Sequence, residues 1–352
     1  ENYWRRVGDR STVTIPGWKF ISYFSDVGNI CWFLEPEFAA AITRLHRLVG
    51  NAVTADRHIV VGTGSSQLIQ AALYAVVSPD PPPTPVPVVS AAPYYSSYPL
   101  IVDLLKSRLY GWGGCAREFQ DDGEAFVELV TYPNNPDGAM RKSVVNGSRG
   151  ILIHDLAYYW PQYVPIVSPA DHDVMLFTVS KSTGHAGTRL GWAVVKDPEI
   201  ARKMTEFIIL NTIGVSKDSQ HRAAKIIQVI CDTHERRSDF RGVDPFFDHS
   251  FNSMARRWRQ LRNAVEDSNL FTLPEFPRAT CTFSGRSFST QPAFAWVKCE
   301  AKNVDNCERF LKQNKILTRS GKHFGESEKY VRISVLPSDQ VFEQFVERLP
   351  AI

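Results

Sequence analysis

The chain has 352 residues, 43% of them apolar and 22% charged, which is enough to bury a full core and to build two lobes. Forty lysines and arginines stand against 37 acidic residues, a formal charge of +3. So near a balance suggests neither nucleic acid nor a membrane surface as partner, and without a run of about twenty apolar residues no transmembrane helix lies in this segment. Residues 1–25 read as an N-terminal arm, 26–235 as a large domain and 236–352 as a small C-terminal domain. From about residue 30 to 215 strand-like and helical patterns alternate, as in a mainly parallel sheet. The run Ile59-Val60-Val61-Gly62-Thr63-Gly64-Ser65-Ser66-Gln67 predicts a strand, a tight loop and a helix start, with Leu68, Ile69, Ala72 and Leu73 as the apolar face. The prolines of 79–87 predict an exposed loop ahead of a strand at 86–90. Tyr132-Pro133-Asn134-Asn135-Pro136-Asp137-Gly138 predicts a turn, because Asn, Pro, Asp and Gly all favour one. Gly150-Ile151-Leu152-Ile153-His154-Asp155 is an apolar run closing on a carboxylate. A second apolar run, Val174 to Phe177, leads into Ser180-Lys181, and Arg189 follows the lysine by eight residues. Residues 219–234 predict a long helix bridging the lobes, 236–244 a charged loop, and 292–297 a strand of the small domain. There are no internal repeats.

Each segment has an ordinary explanation. Most lysines are solvated charges, an Asp after a strand is often only a cap, and Gly-rich turns serve many anions. The 62–67 loop is not a Walker loop, since no Gly-Lys-Ser/Thr follows. Taken together, however, they form the set that pyridoxal phosphate requires: a lysine for the imine, an acid beside the pyridine nitrogen, and anchors for the phosphate. Lys181 is the candidate for the imine. Asp155, at the carboxyl end of a buried parallel strand, is the candidate for the ring nitrogen. Gly64, Ser65 and Ser66 offer N–H and hydroxyl groups to the phosphate, with Arg189 as its cation. Tyr158 is placed to donate to the phenolic oxygen, and the rigid turn can hold Asn135 in the ring plane.

Asn135-Pro136-Asp137-Gly138, Asp155-x-x-Tyr158, Ser180-Lys181 and Gly187-x-Arg189-x-Gly191, in that order, resemble fold-type I aminotransferases of the aspartate aminotransferase superfamily. Longer strings are similar to the plant tryptophan aminotransferase-related group, whose cousin alliinase is a C–S lyase. They are Trp32-Phe33-Leu34-Glu35-Pro36-Glu37, Val60 to Ser65, Ala92-Pro93-Tyr94-Tyr95-Ser96, His154 to Trp160 and Ser180 to Arg189. The resemblance implies an α/β fold with a mainly parallel seven-stranded sheet in the large domain and a smaller α+β domain. It implies pyridoxal 5′-phosphate as cofactor and a homodimer. It makes Lys181 the covalent anchor and proton carrier, Asp155 the partner of the pyridinium, and Asn135 and Tyr158 the partners of the phenolic oxygen. Tyr95 would stack on the ring, while Gly64, Ser65, Ser66, Thr178 and Arg189 would cradle the phosphate. Tyr23 would reach the phosphate of the neighbouring subunit, Arg332 would clamp the substrate carboxylate, a task suited to a planar guanidinium, and Asn135 would also contact the substrate.

Two reactions fit such a cage. One is transamination of an aromatic amino acid, L-tryptophan first among them, to indole-3-pyruvate with pyruvate or another 2-oxo acid as acceptor, in auxin biosynthesis. The other is β-elimination from S-alkyl-cysteine sulfoxides. The strings 62–67 and 153–158 look like the aminotransferase branch. Trp18, Phe20, Phe24, Trp32, Tyr159 and Trp160 are aromatics that either build core or line a side-chain pocket. Six cysteines lack zinc-ligand spacing, and neither His154 nor His185 sits in a metal-ligand cluster, so no metal is expected. Cys299 and Cys307 stand at the spacing of a disulfide found in alliinase, and Asn146-Gly147-Ser148 is a glycosylation sequon. The chain opens at Glu1 without methionine, so a cytoplasmic or endoplasmic-reticulum-associated location would be decided by residues upstream.

Overall fold

The computed structural model describes residues 1–77, 84–120, 123–145, 147 and 149–352. Asn146 and Ser148 of the sequon and prolines 79 and 81–83 lie outside the described residues. A short helix α1 (Asn2–Val7) and an irregular arm lead to α2 (Pro36–Val49), which starts on a proline and ends at Gly50 with φ 69°. Then come β1 (His58–Gly62), α3 (Ser65–Val76), β2 (Val86–Ser90), α4 (Tyr98–Asp103), β3 (Tyr110–Cys115), β4 (Phe126–Thr131) and β5 (Gly150–Asp155). They are followed by β6 (Val174–Thr178), α5 (Val179–Ser182), β7 (Gly191–Val195), α6 (Pro198–Thr212) and α7 (Lys217–Glu235).

The seven strands form one sheet in the order β1-β7-β6-β5-β4-β2-β3. The pairs β2/β3, β2/β4, β4/β5 and β5/β6 are parallel, and β7 alone runs against its two neighbours. Every residue of β4, β6 and β7 is buried, as expected of strands covered on both faces. Helix α2 packs on α7 and α3 on α6. This is the α/β architecture with a mainly parallel seven-stranded sheet that the motifs imply.

The later part of the chain opens with α8 (Phe246–Ser268) and continues with β8 (Phe271–Thr272), β9 (Arg278–Thr280), β10 (Ser287–Ser289), β11 (Phe294–Cys299) and α9 (Cys307–Gln313). It ends with β12 (Arg319–Ser320), β13 (Tyr330–Ser334) and α10 (Asp339–Arg348). Strands β12-β13-β11-β8 make a second, antiparallel sheet of four, and β9 and β10 pair as a hairpin. The 23-residue α8 has no counterpart in the sequence expectation, although Phe247, Met254, Trp258, Leu261 and Val265 form its buried stripe at helical spacing. The strand expected at 292–297 begins two residues later, because Pro292 lies against Gly138 of the facing turn. Cys299 and Cys307 are free buried thiols rather than a bridge, close enough to hydrogen-bond, with burial pushing the Cys307 thiol up.

Three histidines are held as neutral bases, His46 and His154 buried and His234 half-buried. His46 is fully buried; the Trp192 indole N–H donates to its Nε2 at 3.0 Å, so its proton sits on Nδ1 and is donated to Asn51 Oδ1 at 2.8 Å. Burial pulls His46 down to about 4, and does the same for His234, whose Nε2 accepts the Phe247 N–H at 3.2 Å. His154 lies flat on His172 with ring centroids 3.5 Å apart, and burial followed by the His172 charge lowers it to about 3. Below its ordinary value of 6.5 each of these binds a proton in the unfolded chain and not in the folded one. Their contribution is therefore complete above pH 6.5 and is lost as pH falls towards 4, at up to about 1.4 kcal/mol per pH unit for each. Urea unfolding is expected to give a stability that is level above about pH 7 and drops between roughly pH 6.5 and 5. A level profile through that window would show that the three rings are not neutral in the folded protein.

Candidate active site

The carboxyl ends of β4, β5 and β6 meet at one edge of the large sheet, where open α/β sheets hold ligands. Asp155 ends β5, with 6% of its surface exposed. Its Oδ1 accepts the Ala157 N–H and its Oδ2 the Tyr98 hydroxyl, both at 3.1 Å. Burial pushes the carboxyl up from its ordinary range, and these two donors and the Lys181 charge hold it back.

Lys181 lies one strand over, in the single turn α5 that follows β6. Thr178 starts that turn: its hydroxyl accepts the Ser180 N–H at 3.2 Å and donates to Leu190 O at 2.9 Å. The Lys181 carbonyl accepts the Tyr163 hydroxyl at 3.2 Å, and Gln162 Nε2 donates to Ser182 O at 3.0 Å. The amine stands 5.7 Å from the centre of the buried Tyr158 ring. Burial lowers its pKa first, then the Arg332 and Arg189 charges; Asp155 acts the other way. A lysine in this state supplies neutral amine nearer physiological pH than a surface lysine does.

The loop from α5 returns along β7, and Gly191 pairs with both Thr178 and Gly62. That register sets Arg189 against the start of α3. Arg189 holds the left-handed backbone at φ 53°, unusual outside glycine, and a Cβ placed on Gly64 (φ 90°) would stand 2.9 Å from its guanidinium. Ser65 and Ser66 are the first two residues of α3, whose leading N–H groups have no intrahelical acceptor.

Arg332 comes from the other sheet, on β13. Its Nη1 donates to Asn135 Oδ1 at 3.0 Å, and its guanidinium lies 4.0 Å over Phe294 and 5.1 Å from Phe324. Burial lowers its pKa, and its Nε is buried with no hydrogen-bond partner. The turn under Asn135 is locked by Asn134, which donates to Pro93 O at 2.8 Å and to Asp137 Oδ1 at 2.7 Å. Tyr95 sets its ring at right angles to Tyr98, 5.3 Å between centres.

The structure thus brings Lys181, Asp155, Tyr158, Tyr95, Asn135 and Arg332 to one cleft, and Gly64, Ser65, Ser66 and Arg189 to its rim. Two expected residues stand apart. The Thr178 hydroxyl is committed to its own loop, so it shapes the rim from beneath. Tyr23 lies in the arm, 61% exposed, against Phe24 and Trp32. Of the aromatics named from sequence, Tyr159 and Trp160 are core, 1% and 0% exposed, while Trp18, Phe20 and Phe24 are on the surface. Several contributors were missed: Tyr98 and Thr131 beneath Asp155, Phe294 and Phe324 around Arg332, and Trp4, whose indole N–H donates to Thr183 O at 3.2 Å just after the lysine. Only Tyr98 carried a signal, as the close of the aromatic run that begins at Tyr94.

The residues fit pyridoxal phosphate. Gly64 leaves open beside Arg189 the space that a side chain would fill, and the buried carboxylate and desolvated amine are the groups its ring and aldehyde need. Comparison with known proteins agrees. The allinase family model matches residues 1–352. Tryptophan aminotransferase-related protein 2 of Arabidopsis thaliana is 60% identical over 99% of this chain and 78% of its own length. Alliin lyase of Allium cepa is 35% identical over 98% of this chain and 72% of its own. In fold the chain is similar to YbdL of Escherichia coli, described with a methionine aminotransferase function, at TM-score 0.69 over 92% of this chain and 85% of that one, with 14% identity. The chain belongs to the allinase family of fold-type I, pyridoxal-phosphate-dependent enzymes, beside the plant tryptophan aminotransferase-related proteins.

Proposed function

We propose that the protein is an aminotransferase that converts an aromatic L-amino acid, L-tryptophan first among them, to its 2-oxo acid, indole-3-pyruvate. Pyruvate or another 2-oxo acid would take up the amino group, and the product would serve auxin biosynthesis. The observation that carries this reading is the single cleft in which a desolvated Lys181 amine, a buried Asp155 carboxylate and the Arg332–Asn135 pair converge. The 60% identity to a protein named tryptophan aminotransferase-related supports the substrate class.

Bound pyridoxal phosphate supplies an electron sink for the charge left when a proton leaves the substrate Cα. Lys181 would hold the cofactor covalently and, released by the substrate amine, would take the Cα proton and return it. Asp155 would keep the ring nitrogen protonated. Asn135 and Tyr158 would orient the phenolic oxygen, and Tyr95 would cover one ring face. Gly64, Ser65, Ser66 and Arg189 would bind the phosphate, with Thr178 shaping the loop. Arg332 would grip the substrate carboxylate through two parallel N–H bonds, its unpartnered Nε being one of its free donors. The exposed Trp18, Ile21, Tyr23 and Phe24 form an apolar arm suited to a second copy of the chain, where Tyr23 would meet the partner's phosphate.

On adding L-tryptophan without oxo acid, the visible absorbance of the loaded protein should bleach, and pyruvate should restore it. No response to tryptophan, with steady release of pyruvate and ammonia from a cysteine sulfoxide, would instead establish the lyase reaction. Lys181→Ala should lower kcat by about 100- to 10,000-fold while the protein still folds. Arg332→Ala should raise KM for the amino acid about 30-fold or more, as expected when a buried charged partner is lost, and Arg332→Lys should recover only part of it. Light scattering should give a particle of twice the 39.7 kDa chain mass, and Tyr23→Phe should weaken phosphate binding without dissociating it.

A further inference from the structure

Tyr98 opens α4, is 0% exposed, and has a hydroxyl with two close neighbours. One is Asp155 Oδ2 at 3.1 Å; the other is Thr131 Oγ1 at 2.5 Å. Thr131 ends β4 directly opposite Asp155 in the strand register, so the three groups are fixed by the sheet and one helix start. Proton accounting gives the bonds a direction. An ionised carboxylate only accepts, so the phenol must donate to it. A phenol has one proton, so the 2.5 Å bond must be donated by Thr131 to the phenol oxygen. The chain runs from the Thr131 hydroxyl to the Tyr98 hydroxyl to the Asp155 carboxylate, each bond polarising the next. Were the proton on Asp155 Oδ2 instead, the bond to Tyr98 would reverse and the phenol could give its own proton to Thr131.

A tyrosine used only as filling would be replaceable by phenylalanine, and burying a hydroxyl without need is costly. Here the hydroxyl is aimed at the Asp155 carboxylate. Burial and the adjacent Asp155 charge hold the phenol protonated far above its ordinary range, so it remains a donor at any working pH.

We infer that Tyr98 is a positioning residue which, with Thr131 behind it, holds Asp155 as an oriented anion towards the cofactor's ring nitrogen. This rests on the proposed role of Asp155. Without the phenol donor the carboxylate binds a proton more readily, competes with the ring for it and keeps only the Ala157 N–H to orient it. The sink then weakens while the grip of Arg332 on the substrate is untouched.

The test uses holoenzyme reconstituted with pyridoxal phosphate labelled with 15N in the ring, whose chemical shift reports protonation of that nitrogen independently of turnover. Wild type should show a protonated ring. Tyr98→Phe should move the signal towards neutral pyridine and lower kcat about tenfold or more, the scale of a lost hydrogen bond to a charged group, with KM for the amino acid within about twofold. Thr131→Val should shift the signal in the same direction by less, and Thr131→Ser, which keeps the hydroxyl, should match wild type. A wild-type ring signal in Tyr98→Phe overturns the inference whatever happens to kcat. Should that variant not fold, identical wild-type signals in Thr131→Val and Thr131→Ser overturn it equally. A wild-type ring that is not protonated removes the role of Asp155 itself, and this inference with it.

Discussion

A buried carboxylate and a partly desolvated amine must both remain available in one site, and the rest of the architecture answers that requirement. Paired directly, Asp155 and Lys181 would neutralise each other. The fold instead sets them on the ends of neighbouring parallel strands and occupies them separately: Asp155 with Tyr98 and Ala157, Lys181 against the Tyr158 ring. The antiparallel β7 then serves a geometric purpose. Running back from the lysine loop, it returns Arg189 to the same sheet edge and pairs Gly191 with both Gly62 and Thr178. A side chain on Gly191 would press on Phe177 O at 2.7 Å, so the convergence of the phosphate loop, the lysine loop and the arginine depends on a glycine at that register.

The second sheet contributes one charge and much of its shielding. Arg332 is worth placing in a cleft only if its desolvation is offset, and Asn135, Phe294 and Phe324 do this with one hydrogen bond and two aromatic faces. The two sheets approach closely enough that glycine is required on each side. At Gly138 a Cβ would collide with Pro292, and at Gly325 it would come within 2.6 Å of the Tyr94 ring. Both hold left-handed backbone, φ 72° and 75°, so conformation and space favour the same residue. The seam between the lobes is thus as closely specified as the core of either.

What the sequence disclosed follows the range of the interactions. Local patterns were legible: the strand of 150–155, the helix start after Gly64, and the turn at 132–138 each announce themselves within a few residues. The order of chemical residues along the chain was legible through resemblance, and it placed Lys181, Asp155, Asn135, Tyr158 and Arg332, which the structure gathers. Contacts made by main-chain atoms or by distant side chains left little trace. Nothing near Thr178 indicates that its hydroxyl is spent on Leu190 O, and nothing near Trp4 indicates that it holds Thr183, 179 residues away. Helix α8 was missed for a different reason. Its arginines 256, 257, 259 and 262 mask an apolar stripe that is plain once burial is known, and Arg257 is itself buried, donating to Val335 O and Pro337 O.

The same cage can serve transamination and elimination because the residues that hold the cofactor act before the two diverge. In the proposed mechanism Lys181 would take the Cα proton and Asp155 would sustain the electron sink, both before the fate of the substrate side chain is decided. Divergence begins at Cβ. A sulfoxide departs readily with its electron pair, whereas an indole leaves Cβ only after its ring carbon is protonated. Without an acid aimed at that carbon, the substrate completes proton return and amino transfer. On the proposed reading, reaction type would follow from which side chain is admitted beside Arg332. Tyr159 and Trp160 are sealed in the core and do not make that choice. Phe294 and Phe324 do set their rings against the Arg332 guanidinium. On that reading the branches would differ in what meets the substrate side chain, and the cofactor cage could stay constant while chemistry changes.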